Sequence, residues 1–400
     1  MSAGIEDKII IVSKLFKKAF GDDKNLEFFA APGRVNLIGE HIDYCGGYVF
    51  PAALTLDNVV AIRKNGTVST VNMAASTIDG VYSFDISDIE RARALKWGNY
   101  QAGVVRELMK AGLQVGGFDI AFHGTVPFGS GLSSSASIEL ATGLAVSETF
   151  GGNFDNVRLA LMGQAAENNF CGVNCGIMDQ FASAMGKKNN AIMLNCGTLD
   201  YKYVPLNLGD NMLVLANTCK KHALGASKYN ERRREVAEGL LEMQRLEHEA
   251  GVTEVKEALC DYNEAALKEL VPGIGNAIIR NRVTHVISEN LRVQRAVKVL
   301  TDGDLAGFGE LMREANDSIR YLYEATGEEL DAMWDAAVGF EGCIGARMCG
   351  GGFGGCTVNI VNANAVEDFK KTVGAAYNRA TGNKAEFYVC EIGDGARKLV

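Results

Sequence analysis

The chain has 400 residues, of which 47% are hydrophobic and 22% are charged, as in ordinary folded globular proteins. Its formal net charge of −9 argues against a nucleic-acid-binding surface, because such surfaces carry clustered lysine and arginine. No apolar run approaches the ~20 residues that a membrane-spanning helix requires. We therefore expect a cytoplasmic protein without nucleic-acid or membrane partners.

The cysteines give no sign of a metal site. There are ten of them, scattered along the chain without a Cys-x-x-Cys pair, and only five histidines accompany them. We expect buried, free thiols. The densest basic run, residues 232–234, is flanked by Glu231 and Glu235, which predicts a solvated helix face.

The first half of the chain mixes helices with short strands. Residues 1–20 place charged and apolar side chains at helical spacing, which predicts an amphipathic helix. β-rich runs at 59–63 and 118–122 predict strands. Further helices are expected after the Trp-Gly-Asn-Tyr segment that ends at Tyr100, and after Leu132.

The second half begins with a buried strand, continues as helix and returns to strand. The expected elements are a strand at 212–216, a helix from about 228 to 250, helical patterns to about 337, and strands at 356–361 and 386–391. The order predicts an α+β fold in two lobes, residues 1–205 and 206–400, with a soft boundary between 199 and 211.

A cluster of polar side chains interrupts the apolar segment 31–47. Arg34, Glu40, His41 and Asp43 fall within ten residues. Burying them is costly unless each finds a partner, and a hydroxyl-rich ligand supplies such partners. A salt-bridged turn is the alternative interpretation.

A glycine- and serine-rich segment follows a strand expected to end at Val126. Gly129 and Gly131 precede three serines, 133–135, and then a helix-favouring stretch over 136–148. Glycines let backbone approach a phosphate, helix N-termini attract anions, and hydroxyls offer oxygen ligands to magnesium. A serine-capped helix after a flexible loop is the alternative. No lysine follows, so this is not the common Gly-x-x-x-x-Gly-Lys loop.

A second glycine run has five glycines among residues 350–355. Such a run carries a large conformational entropy cost, and it is typical of backbone packed tightly against backbone or ligand. A hairpin-like loop leading into the strand at 356–361 is the alternative interpretation.

Two acidic residues are candidates for catalysis. Glu167 lies on a predicted helix, and Asp179 stands between apolar neighbours. Acids in such positions commonly cap helices or pair within the core. Phosphoryl transfer to a hydroxyl, however, needs a carboxylate near the acceptor oxygen and a cation for the developing charge. Asp179 and Arg34 match both needs.

Together the three segments resemble those of the GHMP kinase superfamily. The first also resembles the galactokinase signature Gly-Arg-Val-Asn-Leu-Ile-Gly-Glu-His-Thr-Asp-Tyr-Asn-Gly-Gly, and the similarity runs essentially end to end. The resemblance implies an N-terminal ribosomal-S5-like lobe, a C-terminal ferredoxin-like lobe and an active site in the cleft. It also implies ATP-dependent phosphorylation of the anomeric C1 hydroxyl of α-D-galactose to galactose 1-phosphate, the first committed step of the Leloir pathway.

The same resemblance implies roles for individual residues. Asp179 matches the general base, and Arg34 matches the arginine that stabilises the transferring phosphoryl group. The positions matching sugar contacts are Glu40, His41, Ile42, Asp43, Gly176 and Tyr229. Those matching ATP contacts are the phosphate loop Gly129, Ser130, Gly131, Leu132, Ser133, Ser134 and Ser135, with Trp97 and Tyr100 on the adenine side. Ser135 and Glu167 match the Mg²⁺ pair, and we expect a monomer.

Three positions depart from the common galactokinase pattern. Ile42 replaces threonine, Cys45 replaces asparagine, and Cys349 replaces the threonine before the triple glycine. The first two changes resemble eukaryotic N-acetylgalactosamine kinases, so a related sugar remains an alternative substrate. A galactose- and ATP-binding sensor without turnover is another alternative. The phosphate loop, Arg34 and Asp179 favour an enzyme.

Overall fold

A computed structural model describes residues 4–220 and 225–399 of the chain. Its first half contains helices α1 (Ile5–Phe20), α2 (Asn99–Lys110), α3 (Ser134–Thr149), α4 (Asn156–Ala166) and α5 (Met178–Met185). Its strands are β1 (Glu27–Asn36), β2 (Tyr48–Val49), β3 (Pro51–Lys64), β4 (Thr70–Ala75), β5 (Ile78–Asp85), β6 (Phe118–Gly124), β7 (Asn190–Asn195) and β8 (Tyr201–Pro205). The helices and strands expected in this half are confirmed, although the strand expected to end at Val126 ends at Gly124.

The second half is helix-rich and ends in strands. It contains β9 (Asn211–Asn217), α6 (Gly225–Glu249), α7 (Glu264–Glu269), α8 (Ala277–Thr301), α9 (Leu305–Ser318), α10 (Glu328–Val338), β10 (Cys343–Cys349), β11 (Cys356–Asn362), α11 (Val366–Thr381), β12 (Glu386–Cys390) and β13 (Arg397–Lys398). Among residues 4–220 and 225–399, no helix combines the length and the apolar character needed to cross a bilayer.

The N-terminal lobe is built on a six-stranded sheet in the order β13-β1-β3-β6-β4-β5. Strand side chains alternate between its faces. The face formed by Ala30, Val59 and Ala121 packs against Val12 and Phe16 of the amphipathic α1. The opposite face packs against α3, which is buried along nearly its whole length. Helix α3 is therefore the central helix of this lobe, and its N-terminus marks the phosphate loop.

The C-terminal lobe has a four-stranded antiparallel sheet in the order β10-β11-β9-β12. In chain order its elements run strand, helices, strand, strand, helix, strand, which is the ferredoxin-like arrangement. The ferredoxin-like C-terminal lobe implied by the sequence is therefore confirmed.

The chain ends in the N-terminal lobe. β13 pairs with β1, placing Arg397 opposite Ala30 and Lys398 opposite Phe29. The Arg397 guanidinium also lies 3.6 Å from the Asp57 carboxylate on β3. The expected assignment of all of 206–400 to one lobe thus needs correction at its end, because the last strand completes the edge of the first lobe's sheet.

Candidate active site

A cavity of about 280 Å³ lies between the two glycine-rich segments. Residues far apart in the sequence line it: Arg34, Glu40, His41, Asp43, Gly131, Glu167, Gly172, Val173, Cys175, Gly176, Met178, Asp179, Tyr229, Asn230, Gly350, Gly351, Gly352 and Gly354. The structure thereby gathers most of the predicted sugar-contact and catalytic positions around one space.

The backbone of β1 bulges just before Arg34. The pairing of β1 with β3 shifts register between Pro32 and Arg34, and a β-carbon at Gly33 would lie 2.6 Å from the Leu132 carbonyl oxygen. Glycine at this position lets the phosphate loop approach the strand, and the Arg34 N–H donates to that same carbonyl at 3.1 Å. Bulges re-aim side chains beside active sites. Here the bulge lies directly before the arginine that reaches Asp179.

Arg34 and Asp179 form an ion pair at the base of the cavity. The Arg34 Nε and Nη2 atoms lie 2.9 and 2.8 Å from Asp179 Oδ1, and Nη1 donates to the Gly131 carbonyl at 2.5 Å. Burial is the largest influence and opposes the charge of Arg34, but Asp179, Cys349 and Glu40 together outweigh it and raise the pKa of the guanidinium. The arginine therefore stays charged between the phosphate loop and the acid.

The phosphate loop supplies a second ligand to Asp179. The Ser133 hydroxyl donates to Asp179 Oδ2 at 2.6 Å, while Ser133 itself has a left-handed φ of +58° at the N-cap of α3. Asp179 lies in the first turn of α5. Both its oxygens are thus fixed by the protein, which orients the carboxylate toward the cavity.

The two glycine-rich segments pack backbone against backbone. A β-carbon at Gly350 would lie 2.7 Å from the Gly131 carbonyl, one at Gly355 3.0 Å from the Ser130 carbonyl, and one at Gly352 1.9 Å from the Ala325 carbonyl. Side chains have no room at these contacts. The expectation that the run at 350–355 packs closely against backbone is confirmed.

Asp43 and Gly176 lie against each other in the wall of the cavity. A β-carbon at Gly176 would lie 2.0 Å from Asp43 Oδ2, so glycine makes room for this carboxylate. Burial, followed by the charge of Asp179, raises the pKa of Asp43 to about 7. The group therefore changes charge near neutrality and is a strong hydrogen-bonding partner for hydroxyls.

His41 belongs to a chain of hydrogen bonds that links the polar atoms of aromatic side chains. Its Nε2 donates to the Gly351 carbonyl at 3.1 Å, and its Nδ1 accepts from the Tyr44 hydroxyl at 2.7 Å. Tyr44 in turn lies 2.8 Å from the hydroxyl of Tyr323. Burial lowers the pKa of His41 to about 3, so the ring is neutral. The centre of its ring lies 5.4 Å from that of Tyr229, with the two planes tilted by 41°, and both residues line the cavity.

Glu40 lines the cavity but is buried from solvent, and the protein engages both of its oxygens. Oε1 accepts from the Gly350 N–H at 2.8 Å, and Oε2 accepts from Arg347 Nη1 at 2.5 Å and from the Asn36 amide. Burial raises its pKa against the influence of Arg347. The predicted sugar ligand is thus also an anchor between the lobes.

An acidic pair lies beside Asp179. The Gln180 amide donates to Glu167 Oε2 at 2.7 Å and to Glu139 Oε2 at 3.0 Å, and the Ser135 hydroxyl bonds Glu167. Burial and the neighbouring Asp179 raise the pKa of Glu167 to about 7, and burial raises that of Glu139 well above its usual value. Within the described residues, Glu139 Oε1 has no hydrogen-bond partner. Together these carboxyl groups form a set of hard oxygen donors, and their raised pKa values favour the neutral acids where no cation is bound.

The structure does not bring every predicted contact to the cavity. The Ile42 side chain is fully buried in the core, and its backbone carbonyl accepts local hydrogen bonds, so its role as a sugar contact stays a prediction. Leu132 is likewise a core residue, and Ser130 donates to the Pro127 carbonyl. Trp97 packs 5.5 Å from the ring of Tyr82, and Ser134 is the first residue of α3. Their ATP roles stay predictions.

Tyr100 lies closer to the acidic pair than its predicted adenine role implies. The pKa of Tyr100 is raised, first because the residue is buried and then because of Glu167, Cys171 and Glu139. Gly129 has a left-handed φ of +68° at the turn of the phosphate loop. Neither residue lines the cavity.

Sequence reasoning missed Glu139 and Gln180, although both are adjacent to predicted positions. Glu139 lies one helical turn after Ser135, and Gln180 follows Asp179 directly. An i, i+4 reading of α3 from the serine run identifies Glu139 as a neighbour of the metal-side hydroxyl.

Comparison with known families places this chain among the GHMP kinases. Residues 99–187 match the model of the GHMP kinases N terminal domain, and residues 296–379 match that of the GHMP kinases C terminal. Residues 14–64 match the galactokinase galactose-binding signature. The predicted two-lobe GHMP fold is confirmed. The chain belongs to the galactokinase family.

Full-length relatives support this assignment. Galactokinase of Clostridium tetani is 45% identical over 389 residues, covering 97% of each chain, and that of Bacillus subtilis is 43% identical over 388 residues, covering 96% of this chain and 97% of the relative. The structure of Lactococcus lactis galactokinase complexed with galactose matches at a TM-score of 0.93 and 39% identity, covering 98% of this chain and 100% of that one. Mevalonate kinase of Methanococcus jannaschii shares the fold at a TM-score of 0.67 and 18% identity, covering 93% of this chain and 99% of its own.

Proposed function

We propose that this protein transfers the γ-phosphoryl group of ATP to the C1 hydroxyl of α-D-galactose, giving α-D-galactose 1-phosphate and ADP. The observation that carries the proposal is the Arg34–Asp179 pair, which lies between the sugar-side wall and the phosphate loop. An acceptor hydroxyl in the cavity and a phosphoryl group on the loop would meet at this pair.

Asp179 orients the C1 hydroxyl and accepts its proton as the oxygen attacks phosphorus. Arg34 and Ser133 hold the two carboxylate oxygens, so the acid needs no reorganisation during the reaction. The Arg34 guanidinium stabilises the charge that develops on the transferred group. The N-terminus of α3, with its free N–H groups, attracts the remaining phosphate charge.

Ser135 and Glu167 are the residues that would hold Mg²⁺, with Glu139 beside them. Their oxygens suit this ion, and the unpartnered Glu139 Oε1, noted above for the described residues, is available to it directly or through water. In residues 4–220 and 225–399 no cluster of three or more metal-ligating His, Cys, Asp or Glu side chains occurs. In phosphoryl-transfer sites Mg²⁺ is typically held by one or two carboxylates together with substrate phosphates. When bound, the ion neutralises charge on the β- and γ-phosphates.

Asp43, His41, Gly176 and Tyr229 hold the sugar. The Asp43 carboxylate accepts hydrogen bonds from sugar hydroxyls, and Gly176 leaves the space for it. The rings of His41 and Tyr229 cover the apolar face of the pyranose. We further propose that the protein acts as a cytoplasmic monomer.

A coupled assay of ADP release tests this function with galactose, N-acetylgalactosamine, galactosamine, arabinose and mevalonate as acceptors. We expect release with galactose, and none from Asp179→Asn, which should still bind the sugar. Release only with N-acetylgalactosamine would indicate the related kinase. Galactose binding without release from the native chain would indicate a sensor. Galactokinase relatives and the galactose-complexed match favour galactose.

A further inference from the structure

Helix α8 carries a stripe of ionisable residues that is buried rather than solvated. Arg282, His285, Glu289 and Arg292 recur at intervals of three, four and three residues, so they share one helix face. All four are buried, and Glu289 and His285 are fully buried. Buried ionisable groups need specific partners, which identifies what this face of the helix does.

The stripe grips the backbone that leads into the sugar-contact segment. Glu289 Oε1 accepts from the Gly39 N–H at 2.9 Å, and His285 Nε2 lies 3.4 Å from the carbonyl oxygen of Glu40. Gly39 has a left-handed φ of +101°, and His41 follows at +62°. Glu40 therefore lies between two residues with left-handed backbone. Helix α8 contacts the Gly39 N–H on one side and the carbonyl of Glu40 itself on the other.

The same carboxylate reaches the other glycine segment through Arg347. This arginine is fully buried on β10, where it bonds Glu40 Oε2 at 2.5 Å and lies 3.8 Å from Glu289 Oε1. Glu40 in turn accepts from the Gly350 N–H. Glu289 also bonds Arg292, so two arginines and two glutamates balance their charges within the core.

We propose that Glu289 and Arg347 are positioning residues of the sugar site, which fix the Gly39–Glu40 backbone and the Glu40 carboxylate for galactose. The inference rests on the proposed function. Neither residue lines the cavity, so each acts through Glu40 and the backbone at Gly39. Because Arg34, Ser133 and Asp179 make no bond to this network, its loss weakens sugar binding more than it slows the transfer.

Glu289→Gln tests the proposal while preserving side-chain volume. The amide still accepts from Gly39 but carries no charge for Arg347 and presents a donor to Arg292. We expect the galactose KM to rise by ~10-fold or more, the range for lost charge-assisted hydrogen bonds, while kcat and the ATP KM change by less than ~3-fold. Glu314→Gln is the matched control, because Glu314 meets Arg292 from the exposed side and should behave as the native enzyme does.

Arg347→Lys is a second variant, since it keeps one positive charge but cannot span two carboxylates. Galactose- and nucleotide-induced shifts of Tm are read alongside the kinetics. A weakened galactose shift with an intact nucleotide shift supports positioning, even in a protein with little turnover. Unchanged galactose affinity in both variants would overturn the proposal. An equal loss of affinity for galactose and for the nucleotide would also overturn it. Failure of the native chain to phosphorylate galactose while these shifts still separate would count against the proposed function alone.

Discussion

Arg34 and Asp179 are 145 residues apart in the sequence, yet two guanidinium nitrogens of the first lie 2.8 and 2.9 Å from one carboxylate oxygen of the second. The contact joins a bulged strand of the sheet to the first turn of α5. Because Arg34 also bonds the Gly131 carbonyl, one side chain connects the acid to the phosphate loop. This arrangement supports the proposed transfer of a phosphoryl group at the Arg34–Asp179 pair.

Arg34→Ala should lower kcat by about 10³–10⁵, the range by which charge-stabilising arginines accelerate other phosphoryl transfers. Galactose affinity should fall far less, because Arg34 lies on the phosphate side of the cavity. Steady-state kinetics with both substrates varied distinguishes these effects. Arg34→Lys retains the charge and should show an intermediate rate. A loss below about tenfold in the alanine variant would contradict the role.

Ser133 offers a test of how strictly Asp179 must be oriented. Its hydroxyl bonds Asp179 at 2.6 Å from a backbone with φ of +58°. Ser133→Gly and Ser133→Ala both remove the bond, and we expect kcat to fall by ~10-fold in each. Glycine accepts the backbone conformation, whereas alanine should be less stable than glycine by about 1 kcal/mol. Thermal melts and kinetics separate the two effects, and native turnover in the glycine variant would exclude an orienting role.

Local sequence patterns predict much of the architecture, but they do not predict the long-range contacts that hold the site in place. Alternating and helical periodicity locate α1, β3 and β9, because one buried face imposes its period on the sequence. Long-range pairing leaves no such pattern. The two-residue β13 is too short to be recognised, and it is placed by its partner β1 and the Arg397–Asp57 contact.

Charged residues on helices were the main source of wrong predictions. Arg232 was expected on a solvated face, but it is buried against Glu235 on α6, and Arg233 donates to the Asn174 carbonyl at 2.7 Å. The spacing of the ionisable residues on α8 is equally compatible with a solvated face, because helical spacing alone does not show whether charged side chains contact water or one another. Partners from other elements decide, and only the structure brings them together.

Asp43 should make stability depend on pH. Its pKa is raised from an ordinary carboxyl value to about 7, chiefly by burial. Because the pKa is higher in the folded state than in the unfolded chain, neutral Asp43 stabilises the fold, and this contribution is complete at a pH below the pKa of the unfolded chain. The contribution is lost as the pH rises through the folded-state pKa of about 7. Asp43→Asn should therefore gain stability relative to the native protein between pH 5 and pH 8, by up to a few kcal/mol at ~1.4 kcal/mol per pKa unit. It should lose galactose affinity at both.

Urea unfolding at the two pH values measures this difference. Asp210→Asn, at an exposed loop position, is the control and should follow the native curve. A stability difference between Asp43→Asn and the native protein that does not change with pH would contradict the raised pKa.

Neighbouring glycines of the second glycine run should give opposite phenotypes. Gly350 has a φ of +90° and lies against the Gly131 carbonyl, so Gly350→Ala should displace the phosphate loop and raise the ATP KM by ~10-fold, given a strain of 1–3 kcal/mol. A β-carbon at Gly351 would meet the Tyr229 ring at an ordinary 3.5 Å. Gly351→Ala should leave the ATP KM unchanged and affect galactose alone. Equal ATP kinetics in the two variants would show that the contact between Gly350 and Gly131 does not position the phosphate loop.

Substrate choice should not depend on the two positions where the sequence departs most visibly from the common galactokinase signature. Ile42 is fully buried and Cys45 is 8% exposed, and neither lines the sugar cavity. The double variant Ile42→Thr/Cys45→Asn restores the common residues. We expect its preference for galactose over N-acetylgalactosamine, measured as the ratio of kcat/KM values, to stay within ~3-fold of the native ratio. Its stability should fall by ~1–3 kcal/mol, because two polar groups enter an apolar site.

Gly176→Ala, whose β-carbon would clash with Asp43, should instead abolish activity toward both sugars. A tenfold shift in preference in the double variant would mean that these buried side chains shape the cavity through the backbone of the loop that they support.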